Sequence, residues 1–175
     1  MPVTTNRKTR HLVAGVTALA LGSALAVATA VPASAQTFEL PAGTACADFD
    51  LRIEQTGGKR IIREFRDQNG NLVRLLQAGK GFDLTFTRLD SDGEPVSTVE
   101  FPSNGSVSQT TFNEDGTQTV QATGHNVVIL FPTDVPAGPS TTLYTGRLVY
   151  TVDAAGVFTV QSTSGRTTDI CALLV

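Results

Sequence analysis

The chain has 175 residues, 17% of them charged, and a formal net charge of −3. That balance offers no basic face for a phosphate backbone and argues against nucleic acid as a partner. With two cysteines and two histidines in all, it also lacks the ligand set of a zinc site.

The N-terminus carries Arg7, Lys8 and Arg10 with no acidic residue, then the apolar run LVAGVTALALGSALAVATAV, then PASAQ. A positive start, an apolar middle and a small-x-small end make a secretory signal peptide over residues 1–35, with Ala33 and Ala35 as the small pair. Cleavage is expected between Ala35 and Gln36. The rival reading is a membrane anchor, since about 20 apolar residues span a bilayer. This run is mostly Ala, Gly, Val and Thr and ends in a cleavage signal, so removal is preferred and no anchor is expected afterwards. No cysteine lies near the cleavage point to take a lipid, and Arg7-Lys8 is not a twin-arginine pair. The mature chain, residues 36–175, keeps ten Lys and Arg against sixteen Asp and Glu, a net charge near −6. Its length suits a single domain.

Along that domain, turn signals recur: Gly57-Gly58, Asn69-Gly70, Gly79 to Gly81, Asp90 to Gly93, Asn104-Gly105 and Asp115-Gly116. They continue at Gly124 to Asn126, Asp153 to Gly156 and Ser164-Gly165. Such spacing predicts many short strands joined by tight hairpins, because Gly, Asn and Asp tolerate the positive φ that hairpin turns need. Between the turns, side chains alternate. Phe49, Leu51 and Ile53 interleave with charged residues, as do Phe82, Leu84 and Phe86 with polar ones. A period of two predicts strands with one face in the core. Tyr144, Leu148, Tyr150 and Val152 share one parity, interrupted at Gly146, where a bend or bulge is expected. Val127 to Phe131 is apolar throughout, as in a strand covered on both sides. Residues 71–79 carry leucines at helical spacing, but the flanking glycines leave room for only two turns, and strand is preferred.

The expected fold is therefore all-β: an antiparallel meander of about ten short strands, closed or nearly closed into a barrel, with a β-sandwich as the alternative. Closure would set the first strand beside the last. Cys46, expected to lead into the first strand, and Cys171, expected in the last, would then form a disulfide stapling the seam, which export permits.

Chemistry is sparse. His125 is the one histidine of the mature chain, and no nucleophile elbow accompanies it; a turn role is preferred. Asp90-Ser91-Asp92-Gly93-Glu94 resembles the start of a calcium loop, but its glycine falls at the wrong position and Pro95 follows. No catalytic, metal or cofactor residue is assigned. With no Trp and two Tyr, the chain lacks the aromatic platforms of a sugar-binding face. The basic stretch KRIIREFR reads as a solvated, partly paired strand face, with an anion site as the minor reading. The polar segment 106–123 either stands away from the core or lines a wet interior. The longest connection, residues 131–142, supplies the candidate binding loop: Phe131, Pro132, Thr133, Asp134, Pro136 and Pro139, with His125 nearby in the chain.

The stretches GKGFDLTFTRLD, GHNVVILFPTDVPAGPSTTLYTGR and TDICALLV resemble small exported proteins of actinobacteria that carry no assigned activity. The resemblance runs nearly the length of the mature chain. It implies secretion and a compact β-domain, and carries over no functional residue. The expected function is an extracellular binding or interaction module without catalysis. A lipocalin-like carrier of a small apolar ligand is the alternative, and a cyclase or isomerase using a barrel mouth ranks below it.

Overall fold

The computed structural model describes residues 36–175; the expected signal peptide lies outside the described residues. Eight strands form one antiparallel sheet: β1 (Gln36–Leu40), β2 (Asp50–Arg66), β3 (Leu72–Leu89), β4 (Pro95–Pro102), β5 (Val107–Phe112), β6 (Gln118–Leu130), β7 (Ser140–Val152) and β8 (Phe158–Asp169). A single helical turn, α1 (Ile170–Leu173), follows β8. No helix of the described residues is long and apolar enough to cross a membrane. The all-β antiparallel architecture is as expected, and residues 72–79 are strand.

Two expectations are corrected. There are eight strands rather than about ten, and β2 and β3 run to 17 and 18 residues. The sheet also does not close. Its order is β1-β2-β3-β5-β6-β7-β8, with β4 branching from β3, and β1 and β8 remain unpaired edges. β3 forks the sheet because its two halves take different neighbours: Arg74 to Gln77 pair with β5, and Asp83 to Leu89 with β4. The unpaired stretch of β8 is exposed Gln, Ser, Thr, Gly and Arg, a composition that discourages further strand addition.

The strand count traces to glycine. Four hairpins share one loop: Asp67 to Gly70, Asp90 to Gly93, Asn113 to Gly116 and Asp153 to Gly156. In each, the glycine N–H donates to the carbonyl of the residue three before it. Each glycine takes a positive φ of 80–85°, the left-handed position that closes such a loop. Other glycines sit inside strands. Gly124, Gly146 and Gly165 lie directly opposite one another on β6, β7 and β8. All three have positive φ, and a Cβ on Gly146 would strike the Ser164 carbonyl oxygen. Side chains are excluded along that row, so the strands bend there instead of ending.

The core falls into two clusters. Leu51, Ile53, Phe86 and Leu143 are buried in a first cluster with Ala45, Cys46, Phe49, Ile170 and Leu174. Leu148 packs with Val128 and Leu130 in a second, which spans the glycine row. Val127 and Ile129 rest on the first cluster while Val128 and Leu130 belong to the second, so this segment is covered on both sides, as its apolar run implied.

Cys46 and Cys171 are disulfide-bonded, with Cα atoms 5.6 Å apart. The expected bond is present, but its setting is different. Cys46 lies in the loop between β1 and β2, and Cys171 in α1. The bond therefore ties the β1–β2 loop to the helical turn after β8 and not two paired strands. It packs beside the buried Thr141 hydroxyl, which donates to the Ala45 carbonyl at 2.9 Å. Ser97 of β4 donates to the Leu174 carbonyl at 2.6 Å and fixes the C-terminal segment across that strand.

Candidate functional site

Curling without closure leaves a cleft of about 590 Å³, a size usual for small-molecule sites (roughly 300–1,000 Å³). Phe38 and Leu40 of β1 reach it from one end of the sheet and Phe158 of β8 from the other, so the two unpaired edges flank the same opening. Its apolar walls come from Ile53, Leu84, Phe86, Ile129, Leu148 and Tyr150. Tyr150 stacks on Phe158 at 5.4 Å between ring centroids. Burial pushes the phenols of Tyr144 and Tyr150 above their ordinary pKa, which keeps both neutral.

Polar groups enter from the strands that cross the bend. Register places Gln77 opposite Ser108 and Ser108 opposite Ala122, while Thr110 faces Val120. Opposed residues share a face, and all five line the cleft. The polar segment 106–123 thus lines a partly wet interior, one of its two expected roles. Arg60 and Lys80 stand on the same lining, and no Asp or Glu is among the described lining residues. That is notable because residues 36–175 hold sixteen acidic residues.

The structure separates the residues expected together. Of the 131–142 connection, Phe131 lines the cleft; Pro132, Thr133, Pro136 and Pro139 do not. Asp134 is buried, and its carboxylate accepts from the N–H of Phe131 at 2.6 Å and of Phe158 at 2.8 Å. Val135 adds two backbone hydrogen bonds to Phe158 and Val160. This loop is therefore a strut that locks β6 to β8 and sets Phe131 and Phe158 at the cleft rim. His125 does line the cleft, from within β6 and not from a turn. Its Nδ1 lies 3.0 Å from the Asn104 carbonyl, which only accepts, so Nδ1 carries a proton. The Ser106 hydroxyl, also on the lining, donates to Asn126 Oδ1 at 2.6 Å. No nucleophile–histidine–carboxylate chain is assembled here.

The calcium-like turns have a structural explanation. Asp90 Oδ1 accepts from the N–H of Asp92 and of Glu94, both at 2.9 Å, and Asp153 does the same for Ala155 and Val157. The carboxylates serve their own loops.

A second surface stands apart. Residues 59–80 of β2 and β3 form an arm with Ile61, Ile62 and Val73 exposed. It holds six Lys or Arg against two acids, leaving four against fourteen on the rest of residues 36–175. Arg66 pairs with Glu64 at 2.7 Å, and Arg74 lies over the Phe65 ring at 4.1 Å. The expected solvated, partly paired basic face is this arm, except that Arg60 turns to the cleft. Arg60 belongs to the basic stretch KRIIREFR, whose minor reading was an anion site, whereas the β1 residues were not singled out in sequence. Alternation within TFEL was the available signal for Phe38 and Leu40.

No family model matches the chain, and no match is found among the curated proteins or the solved structures.

Proposed function

We propose that the chain is exported and works without catalysis as a binding protein, with the cleft as its site for a small, largely apolar ligand. One observation carries the reading: a 590 Å³ cleft with aromatic and aliphatic walls and a few convergent polar groups. Export is supported by the signal-peptide pattern, by the likeness to exported actinobacterial proteins, and by a disulfide, which persists in oxidising compartments. A cyclase or isomerase would need a positioned acid and base in the cleft. His125 lines the cleft with Nδ1 held by the Asn104 carbonyl, and no acidic side chain is among the described lining residues to complete such a pair. A second reading, an interaction module docking an acidic protein surface, is favoured by the charge and exposed isoleucines of the arm.

The test is to express the full chain in a secreting bacterium and to take native and denaturing mass spectra of the culture supernatant. A denatured mass beginning at Gln36, with a heavier native species that releases an apolar small molecule, supports the proposal. Retention in the membrane with Met1 intact contradicts export, and failure to take up any apolar probe contradicts the binding role.

A further inference from the structure

Resting on the cleft as the binding site, we propose that its ligand is an amphiphile with a single anionic head, a carboxylate or phosphate on an apolar tail, and that Arg60 receives the head while Lys80 adds positive charge to the lining. The cleft runs against the character of the molecule. Residues 36–175 carry an acidic excess, yet the described lining contains Arg60, Lys80 and His125 and no acid. An anion approaching it meets cations from β2 and β3 without a carboxylate on the lining to repel it.

Arg60 is built to receive a head group. It sits directly opposite Gly79, where a Cβ would strike the Lys59 carbonyl, so no side chain fills the space across from it. Its guanidinium carbon lies over the Phe82 ring, 4.6 Å from the centroid, a cation–π contact that leaves its N–H donors for other partners. Its one side-chain hydrogen bond among the described residues is a long 3.5 Å approach of Nη1 to the neutral Gln77 Oε1. Neither Arg60 nor Lys80 makes an ion pair among the described residues, in contrast to Arg52 with Glu39 and Arg66 with Glu64. A planar donor fork without an internal anion matches a carboxylate or phosphate. The tail would then run along Leu84, Phe86 and Ile129 toward Tyr150 and Phe158.

The experiment uses the secreted chain with cis-parinaric acid and its methyl ester, whose fluorescence rises in an apolar site. Head-group recognition predicts that the acid binds at least about tenfold more tightly than the ester, the usual effect of one charge-assisted contact. Added salt should weaken the acid alone. The double variant Arg60→Gln/Lys80→Gln should lose the preference while keeping the ester's affinity, and Arg166→Gln on β8 should keep it. Both targets are exposed, and circular dichroism confirms that the variant folds. Competition by dodecanoate against dodecyl phosphate distinguishes the two head groups. Equal binding of acid and ester overturns the head-group assignment and leaves the binding role standing. Failure of both to bind overturns the two together.

Discussion

Asp134 shows how one side chain sets a loop. Its two carboxylate oxygens hold N–H groups 27 residues apart in sequence, at Phe131 and Phe158, and the group is 4% exposed. Removing it leaves two part-buried donors without acceptors, so Asp134→Ala should destabilise by about 2–4 kcal/mol in denaturant unfolding. Asp134→Asn keeps one acceptor and should cost less. Because Phe131 and Phe158 both line the cleft, Asp134→Ala should also weaken apolar probe binding, a loss that a remote destabilising variant of equal cost should not reproduce. In sequence, Asp134 read as a member of a binding loop because it sits among prolines in the longest connection. Its role as a strut depends on β8 arriving 24 residues later, which local pattern does not encode.

Elements are punctuated by glycines of two kinds, and their neighbours tell them apart. At the four hairpins, Asp or Asn stands three residues before the glycine and its side chain caps the loop. Gly124, Gly146 and Gly165 have Gln121, Leu143 and Ser162 at that place, and they bend strands instead. Counting Gly124 and Gly165 as turns cut the long strands and raised the expected number to about ten, whereas Gly146 read as a bend within its strand; the spacing of Asp and Asn was the signal that separates the two kinds. Gly146→Ala should therefore be far more damaging than Gly116→Ala. Both take a left-handed φ, an expense of about 1–2 kcal/mol for alanine. Only at Gly146 does the new Cβ meet backbone, whereas Gly116 has open space. Thermal unfolding of the two variants checks the order. The loop carboxylates also carry a pH signature. Asp67 is held below its ordinary 3.8, first by the Asn71 side chain and then by backbone N–H groups of the loop. A depressed folded pKa stabilises above the unfolded value and is lost as pH falls through the folded one. The Asp67 carboxyl should titrate by nuclear magnetic resonance with a midpoint under 3.8, and Asn71→Ala should raise it.

At the scale of the whole molecule, the sequence revealed the class of fold and the disulfide, but not how the ends meet. Alternation and turns fix antiparallel neighbours, since both are local. Whether β1 reaches β8 depends on accumulated twist and on the bend at Gly146, and here the edges stop on either side of a cleft. The covalent bond crosses that same molecule by another route. Cys46 is fully buried, joined to Cys171 across a sequence separation of 125, and flanked by Thr141, Ile170 and Leu174 in the main core. Closing so long a loop restricts the unfolded chain by roughly 5 kcal/mol in the entropic account, and measured losses for native disulfides run about 2–5 kcal/mol. Cys46→Ser should fall in that range, with an added penalty because its hydroxyl would replace sulfur in a fully buried site. Cys171 is only partly buried, so Cys171→Ser should report the bond more cleanly and cost less. The double variant should cost little more than Cys46→Ser, because either change removes the same bond. Denaturant unfolding of the three variants measures this, and a thiol titration of the unfolded, unreduced parent should find no reactive thiol. Equal loss from the parent on reduction and from Cys171→Ser would assign the effect to the bond; additive single losses would assign it to packing of the two side chains.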